Sequence, residues 1–594
     1  MNRKTLLKNM EKLRQTMEKG DFAAARIIYK KLQSAVARIK LPAAEKNAME
    51  HELAKIFAAL VVETNSQAEI ALAQRNLARF TSDAYSDFLI ARLCWQEKKH
   101  LLAISMLEKS LNLSMQDGNI VIPKGNKFYA ANAEVQGVIL NLLGQGYRYF
   151  GMTREAGECY RLASEISSNF VSQTINYSNY LFSLHYLFLP PQEYLAAHKK
   201  YNELFRPIRP FAYDKKKLRQ RYAARKKIRL GYISPDFRHH VVLLFIWAML
   251  TNYSRYEFEL YLFSNSPVED KYTEYLQGQA DFYCNIANLP LNEKALTVWR
   301  QELDILVDLA GHSRDNGLAV LSYKPAPVQV SGIGYFATTG LSTVDYFLSD
   351  KYLVNNEDLS EPTVLADENF VEKLLVLPHS HFCYEPLKDM PPEREAPCRA
   401  NGYITFGSFN NLSKVNDTVL SAWGKILAQV PHSRLILKCG SLDDEDMRSL
   451  FTEKLLSLGI GEDRFELRGF SADYLVEYYD IDIALDTFPY PGGGTTCDAL
   501  YMGVPVVSLG NGSHGGNFGV SLLKNIGLEI FCSSSIEEFI NKAVLLASDR
   551  ELINALHLGL RKMMKNSPIM NKELYTRELE QGYKKIWQDF INIA

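Results

Sequence analysis

Hydrophobic positions follow two different patterns along this chain of 594 residues. Over roughly the first 210 residues they recur every three or four positions, which is the period of an α-helix with one buried face. Beyond residue 227 they come in short runs that alternate with helical segments. Runs of this kind are typical of parallel strands covered by helices on both faces. The runs are 228–234, 260–265, 305–309, 328–334, 403–407, 435–438, 465–467, 483–485 and 504–509.

The helical part contains a segment with the spacing of a tetratricopeptide helix pair. Within 141–164 the small and large packing residues at that spacing are Leu143, Gly144, Tyr147, Gly151, Ala156, Tyr160 and Ala163. Small residues let two helices approach closely, and aromatic rings fill the groove between neighbouring pairs. Weaker versions of the pattern follow Gly20 and run through 91–111. We expect an all-α region of tetratricopeptide-like helix pairs, with a generic helical bundle as the alternative.

A basic stretch at 215–227 separates the two patterns and is interpreted as a solvated linker. The strand and helix runs beyond it form two series, divided by the Pro-rich, charged stretch 390–397. Alternation of this kind predicts two doubly wound α/β lobes that face one another across a cleft. The predicted parts are a helical domain at 1–210, a basic linker at 211–227, Rossmann-like lobes at 228–395 and 396–565, and a C-terminal helix at 566–594 packing on the first lobe.

The composition is that of an ordinary globular protein, with 47% hydrophobic and 23% charged residues. It excludes a disordered chain and a disulfide-dense miniprotein. A net charge of -1 excludes a chain-wide basic field for nucleic acid. The eight cysteines are scattered and form no CxxC pair, which argues against a structural zinc site and a disulfide framework.

The sequence also bears on location. No charged-then-apolar leader opens the chain, and the longest apolar stretch, 241–250, is about half of the ~20 residues that a membrane span needs. We therefore expect a cytoplasmic protein without a membrane span and without a nucleic-acid partner.

The strongest candidate for chemistry is the loop at 486–500 (DTFPYPGGGTTCDAL). A buried strand ends in this loop, and a helix then begins with Thr495 and Thr496, whose hydroxyls and amides lie at its positive end. The glycines before them, Gly493 and Gly494 among them, allow close backbone approach. These features predict an anion site suited to a diphosphate. The Walker lysine motif is absent, and a turn that only reverses the chain is the alternative.

Lys414 follows the strand run 403–407 and begins a helix at the carboxyl end of that strand. A lysine in this place can neutralise a leaving diphosphate. The neighbouring Asn410 and Asn411 favour such a site, and a lysine that simply faces solvent is the alternative.

Three histidines follow strand runs of the first lobe: His239 and His240 in SPDFRHH, and His312 in DLAGHS. A histidine at the mouth of a cleft can act as a base. Because no third ligand is adjacent to the histidine pair, no metal site is predicted. Asp480 and Asp482 spell the metal-nucleotide motif DxD, but they open an apolar strand, which favours a strand-entry role.

These motifs resemble the protein O-linked N-acetylglucosaminyltransferase and SPINDLY family, glycosyltransferase family 41, and in particular its bacterial-type members with a tetratricopeptide-like half. The matching stretches are 231–240 (GYISPDFRHH), 305–313 (ILVDLAGHS), 323–341, 376–386, 406–414 (FGSFNNLSK), 484–509 and 567–587. The resemblance implies a GT-B arrangement of the two lobes, with the acceptor on the side of the first and the nucleotide-sugar donor on the second.

The resemblance also implies roles for individual residues. It makes His240 the active-site histidine near acceptor and sugar, with His239 and His312 as further candidates on that side. It makes Lys414 the lysine that binds the donor diphosphate, with Asn411 beside it. The donor-binding residues that it implies in the second lobe are Gly493, Gly494, Thr495, Thr496, Asp498 (at the ribose) and Tyr474 (at the nucleobase).

Four positions depart from the family pattern. Gly494 and Tyr474 stand where animal members have histidines, and Glu477 stands where they have an arginine. Asn517 occupies a position that is commonly arginine in bacterial relatives. The donor therefore stays open between UDP-N-acetylglucosamine, UDP-glucose and GDP-fucose, all of which are used in this family.

The expected function is metal-independent, inverting transfer of N-acetylglucosamine or a related hexose from a nucleotide sugar to Ser or Thr of a protein. The helical domain would bind the protein acceptor, and UDP-N-acetylglucosamine is the first expectation for the donor, with no cofactor. One alternative is transfer of glucose to Asn of an adhesin-like protein. Another is a helical scaffold whose lobes only bind partners. An oxidoreductase is disfavoured, since no GxGxxG follows the first strand of either lobe.

Overall fold

The computed structural model describes residues 2–81, 83–112, 114–116, 119–121 and 133–592. These divide into two compact units, 1–172 and 173–594. None of the described helices combines the length and the apolar character that a membrane crossing requires.

The first unit consists of successive helices that pack on their neighbours. The described helices are Arg3–Glu18, Phe22–Arg38, Ala43–Thr64, Ile70–Leu77, Ala84–Gln96, His100–Leu111, Ala133–Tyr149 and Thr153–Ile166; a further helix, Phe170–Leu184, spans the boundary between the units. Strand β1 (Ser114–Gln116) pairs antiparallel with strand β2 (Asn119–Val121).

Close helix approach explains the small residues of the 141–164 segment. A Cβ atom on Gly144 would lie 2.7 Å from the ring of Tyr160, so only glycine lets the two helices approach to this distance. Gly151 has a φ of 77° and forms the turn between the helices. Gly20, with a φ of 75°, does the same between the first two helices, where Asp21 caps the second. The predicted helix pairs are confirmed.

The first lobe is an eight-stranded sheet of order β5-β4-β3-β6-β7-β8-β10-β9, parallel except for β9. Successive side chains of β6 and of β7 are all buried, which shows that both faces of the sheet are covered. The strands are β3 (Ile228–Ser234), β4 (Phe258–Ser264), β5 (Phe282–Asn285), β6 (Ile305–Asp308), β7 (Val328–Ser331), β8 (Tyr346–Asp350), β9 (Thr363–Leu365) and β10 (Lys373–Leu377). Its helices are Leu243–Thr251, Lys271–Gln279, Leu291–Trp299 and Leu318–Leu321.

The second lobe is a parallel six-stranded sheet of order β13-β12-β11-β14-β15-β16. Its strands are β11 (Thr405–Ser408), β12 (Arg434–Lys438), β13 (Phe465–Arg468), β14 (Ile483–Leu485), β15 (Val506–Leu509) and β16 (Cys532–Ser533). Its helices are Cys398–Asn401, Asp417–Gln429, Glu445–Ser457, Gly494–Tyr501, Phe518–Asn525, Ile536–Ser548 and Arg550–Lys565. Two facing parallel sheets confirm the predicted α/β fold class.

Two further helices pack on the first lobe. The C-terminal helix Lys572–Asn592 contacts β10, and Gly582 allows its backbone to approach Leu375. The basic segment 211–227, expected as a linker, contains the helix Lys215–Arg225, in which Leu218 is buried. Arg225 forms an ion pair with the buried Asp304 of the first lobe. At least this basic residue therefore contacts the lobe and is not a solvated linker residue.

The segment 173–205 belongs to the unit that contains the two lobes, although the helical pattern placed it in the predicted domain 1–210. It comprises most of the helix Phe170–Leu184 and all of Pro191–Glu203. The His198 Nε2 lies 2.7 Å from the Tyr335 hydroxyl of the first lobe, and Ser178 Oγ lies 3.0 Å from His312 Nδ1. Helical periodicity reports a buried face but not which neighbour covers it, which is why the pattern extends past residue 172.

The division at residue 172 predicts which truncation folds. A chain of residues 170–594 should unfold in one cooperative transition, whereas residues 206–594 should be insoluble or lack that transition. The shorter chain loses Tyr177, Leu181 and Tyr201 from the core. Burial of each is worth about 1.5–3 kcal/mol, and the whole stability of a domain is only ~5–15 kcal/mol. Circular dichroism against temperature checks this, and equal melting of the two chains would contradict it.

Candidate active site

A cavity of about 410 Å³ lies between the two lobes. The first lobe and the segment that follows it contribute His239, His240, Val241, Tyr272, Tyr384 and Lys388 to its wall; the second lobe contributes Phe409, Lys438, Phe470, Tyr474, Gly494, Thr495 and Asp498. Both walls are formed by residues that follow strands, as expected for ligand sites in open α/β sheets. The cavity therefore brings together six of the predicted site residues: His239, His240, Tyr474, Gly494, Thr495 and Asp498.

The loop between β14 and the helix Gly494–Tyr501 is organised by Asp486, a residue that the sequence analysis did not single out. Its Oδ1 accepts hydrogen bonds from the backbone N–H of Thr487 at 2.9 Å and of Gly492 at 2.7 Å. Its Oδ2 accepts one from the Ser508 hydroxyl on β15 at 2.7 Å. The carboxylate thus ties both ends of the Pro/Gly loop to the sheet.

The predicted anion site lies at the start of the helix Gly494–Tyr501. Gly493 precedes this helix, and no side chain caps it. A Cβ atom on Gly492 would lie 2.5 Å from Thr496 Oγ1 and 2.7 Å from Thr495 Oγ1, so the close packing of this loop requires glycine. Uncapped N–H groups and a positive dipole end suit an anion.

The neighbouring side chains of Asn410 and Asn411 have different hydrogen-bond partners. Asn410 is buried and accepts a 3.0 Å hydrogen bond from the hydroxyl of Thr495, which connects it to the anion site. The Asn411 side chain, in contrast, accepts bonds from the N–H and hydroxyl of Ser413 and caps the 3-10 turn Leu412–Lys414. Asn411 therefore orders the turn that bears Lys414.

The ammonium of Lys414 lies against the Pro/Gly loop. It donates a 2.9 Å hydrogen bond to the carbonyl of Pro491 and lies 3.9 Å from the centroid of the Tyr490 ring. Burial lowers the pKa of Lys414 to about 8, opposed by the negative charge of Asp486. The lysine is thus a half-buried cation at the loop whose glycines and threonines form the anion site.

Asp498 and Tyr474, predicted at the ribose and the nucleobase, contact each other. The buried Asp498 carboxylate accepts hydrogen bonds from the hydroxyls of Tyr384 at 2.7 Å and Tyr474 at 2.6 Å. Lys388 lies over the Tyr474 ring at 4.2 Å from its centroid. Burial raises the pKa of Asp498 while the two tyrosine hydrogen bonds oppose that shift. The hydrogen bond to Asp498 gives Tyr474 a structural role at this position.

Glu477, one of the positions expected to depart from the family pattern, is also paired. Its Oε1 lies 2.7 Å from the Nζ of Lys438, and its Oε2 lies 3.4 Å from Arg468. Lys438 lines the cavity and donates a further hydrogen bond to the Gly469 carbonyl. The positive charge at this end of the cavity therefore comes from Lys438, at the end of β12, and not from position 477.

His240 lies on the first-lobe wall of the cavity, with Nδ1 3.1 Å from Asp236 Oδ1. Burial, together with the nearby Arg238 and His239, lowers the pKa of His240 to about 4, so its ring is neutral at pH 7. Burial raises the pKa of Asp236 to about 7. A neutral imidazole at the cavity can accept a proton.

The other two candidate histidines have different surroundings. His239 is exposed, and its ring stacks on Tyr272 with centroids 5.9 Å apart. His312 is fully buried and bonded to Ser178 Oγ and to the carbonyl of Thr339, at 3.0 and 2.9 Å. The structure therefore places His312 in the core of the first lobe rather than on the cavity wall.

The DxD residues at β14 have protein partners. Asp482 is buried and accepts hydrogen bonds from the N–H groups of Cys398 and Thr405. Asp480 forms a 2.7 Å ion pair with Arg468. The two carboxylates therefore act separately at the start of the strand. Within the described residues, no group of three or more His, Cys, Asp and Glu side chains is placed to bind a metal ion.

Comparison with known proteins agrees with this geometry. Residues 204–392 and 393–579 match the family Glycosyl transferase family 41. The chain is 35% identical over 405 residues to a protein of Solanum lycopersicum named "Probable UDP-N-acetylglucosamine--peptide N-acetylglucosaminyltransferase SPINDLY", covering 67% of this chain and 42% of that one. The Arabidopsis thaliana protein of the same name is 37% identical over 372 residues, covering 61% and 40%. The chain thus spans about two fifths of the length of these curated relatives.

A solved structure is similar over nearly the whole chain. It is a lysine-to-methionine variant of the Thermobaculum terrenum O-GlcNAc transferase, with a TM-score of 0.73 and 26% identity, covering 92% of this chain and 98% of that one. The match extends the likeness to the helical part and confirms the predicted GT-B arrangement. With the family match over more than half of its length, the chain belongs to glycosyltransferase family 41.

Proposed function

We propose that this protein transfers a sugar from a nucleotide donor to a Ser or Thr hydroxyl of a protein, with inversion and without a metal ion. The observation that carries the proposal is the cavity between the lobes. Its second-lobe wall begins at an uncapped helix end with the half-buried Lys414 close by, and its first-lobe wall bears the neutral His240. A cationic, amide-rich wall facing a base suits departure of a diphosphate and attack by a hydroxyl.

The reaction balances without a further reagent. The acceptor oxygen forms a bond to the anomeric carbon as the bond from that carbon to the diphosphate oxygen breaks, and the diphosphate leaves with the electron pair. Lys414 and the N–H groups of the 494–496 helix turn stabilise the new negative charge. The neutral ring of His240 takes the hydroxyl proton.

UDP-N-acetylglucosamine is the proposed donor, in line with the names of the SPINDLY relatives. Helix pairs like those of the first unit form extended surfaces for proteins, so we propose that this unit binds the acceptor. All eight cysteines are free, as in proteins of reducing compartments, which supports a cytoplasmic location.

A donor panel tests the proposal directly. The purified chain is incubated with UDP-N-acetylglucosamine, UDP-glucose and GDP-fucose, and we measure nucleotide release and the thermal midpoint. A ligand at 100 times its Kd stabilises the fold by about 2.7 kcal/mol. Mass spectrometry of a modified acceptor then separates Ser or Thr from Asn. A chain that binds none of the three donors would refute the proposal.

Lys414 gives a prediction with a defined pH dependence. Its ammonium is charged below about pH 8 and neutral above, so UDP affinity should fall as the pH rises through that value. Lys414→Met should lower kcat on the order of 10²–10³-fold and abolish this pH dependence, with an unchanged thermal midpoint. Lys425→Met, at an exposed position of the helix Asp417–Gln429, is the matched control. If Lys414→Met retained half of the activity, the diphosphate role would be wrong.

His240 gives a prediction for activity below pH 7. His240→Asn should lower kcat by about 10²-fold or more while leaving the Kd for UDP unchanged. Because the histidine is neutral above about pH 4, its own protonation should lower kcat/KM only as the pH approaches 4. A change near pH 7 would instead report the neighbouring Asp236, whose pKa is about 7. Steady-state kinetics from pH 4 to pH 7 check this. His239→Asn, whose ring stacks on Tyr272, should have a smaller effect; equal losses in both variants would contradict the assignment.

Activity should survive excess EDTA, because Lys414 and the helix end supply the positive charge and the carboxylates of Asp480 and Asp482 already have protein partners. Nucleotide release is measured with EDTA and again after addition of manganese. The converse result, loss in EDTA and recovery with manganese, would make the DxD residues metal ligands.

A further inference from the structure

Tyr490 lies between the donor-side lysine and a group of aromatic rings from outside the second lobe. Its ring centroid is 5.2 Å from that of Tyr186 and 5.5 Å from that of Phe336. Phe182 and His185 lie at 6.1 and 6.0 Å. We call these four residues the aromatic box. The box fixes the position of a ring that belongs to the Pro/Gly loop.

The ammonium of Lys414 lies 3.9 Å from the centroid of the Tyr490 ring, well inside the ~6 Å range of a cation–π contact. One N–H of that ammonium donates to the Pro491 carbonyl at 2.9 Å. Both contacts come from consecutive residues, Tyr490 and Pro491, at the start of the glycine run. The loop that forms the anion site therefore also contacts the cation that serves it.

We propose that Tyr490 is a positioning residue for Lys414: its ring face, fixed by the aromatic box, holds the ammonium beside the 492–496 loop where the donor diphosphate binds. The inference rests on the proposed function, because it assigns Lys414 to that diphosphate. It goes beyond it, because nothing in the motif pattern of the sequence gives Tyr490 a role.

The electrostatics of the site favour this role over simple packing. Burial penalises the charged form of Lys414, and the negative charge of Asp486 opposes that penalty. The Tyr490 ring face, 3.9 Å from the ammonium, also favours the charged form. His185 adds no charge, since burial lowers its pKa to about 3 and keeps it neutral. An aliphatic side chain at position 490 would fill space but leave the ammonium without the ring.

A series of phenylalanines with increasing fluorination tests the electrostatic part alone. Position 490 is changed to Phe, 4-fluoro-, 3,5-difluoro- and 3,4,5-trifluorophenylalanine, which keep the shape of the ring and weaken its negative face. The Kd of UDP, with GDP as a second probe, is measured by calorimetry in the full chain. We expect Tyr490→Phe to bind like wild type and affinity to fall stepwise by about tenfold over the series.

Two further measurements separate positioning from packing. Weakening the ring destabilises the charged form of Lys414, so the pH at which UDP affinity falls should move below about 8 along the series. In the Lys414→Met background the series should be flat. The non-fluorinated replacement Tyr490→Leu, checked for its thermal midpoint, should lower affinity as the trifluoro variant does.

The outcomes distinguish the two proposals. Suppose that the wild-type chain binds UDP or GDP, but that neither the Kd nor the pH at which affinity falls changes along the fluorinated series. Tyr490 then only packs, and the inference is overturned. The inference is also overturned if UDP affinity still falls along the fluorinated series in the Lys414→Met background. If the wild-type chain binds neither nucleotide, the proposed function fails and the inference fails with it.

Discussion

The buried carboxylate of Asp486 is the interaction on which the donor side of this protein depends. It accepts hydrogen bonds from the backbone of Thr487 and Gly492 and from Ser508, so one side chain joins β14, β15 and the Pro/Gly loop. Burial raises its pKa, and those hydrogen bonds together with the charge of Lys414 oppose the rise. The two opposite charges therefore favour each other's ionised form. The carboxylate that orders the loop also stabilises the cation at the anion site.

Much of this arrangement could be predicted from the sequence. Strands and helices differ in period, so the two sheets and the helical region follow from local pattern. The anion site is predictable because it is local too: Gly493, Gly494, Thr495 and Thr496 are consecutive. In each lobe, residues that follow parallel strands gather at one edge of the sheet. These edges of the two lobes line one cavity, which holds His240 from the first lobe and Thr495 from the second. The order and direction of the strands are enough to apply this rule.

The rest depends on contacts between residues far apart in the chain. No period indicates that helices within 173–205 pack on the first lobe through His198 and Tyr335. Nor does spacing show that Tyr384 and Tyr474, 90 positions apart, share the carboxylate of Asp498. His312 follows a strand, as a catalytic residue would, yet its side chain is buried and hydrogen-bonded to Ser178. A sequence pattern identifies which residues are available, whereas the three-dimensional neighbours decide how they are used.

The close approach of Gly494 and Val241 has a consequence for substitutions at both positions. A Cβ atom at position 494 would lie 2.5 Å from Val241 Cγ2, across the cleft between the lobes. Any side chain larger than glycine at 494 therefore requires the exposed Val241 to rotate or to be replaced. Because the two residues belong to different lobes, the width of the cleft at this point is set by the pair and not by either lobe alone. A substitution at one of the two positions changes what the other can accommodate.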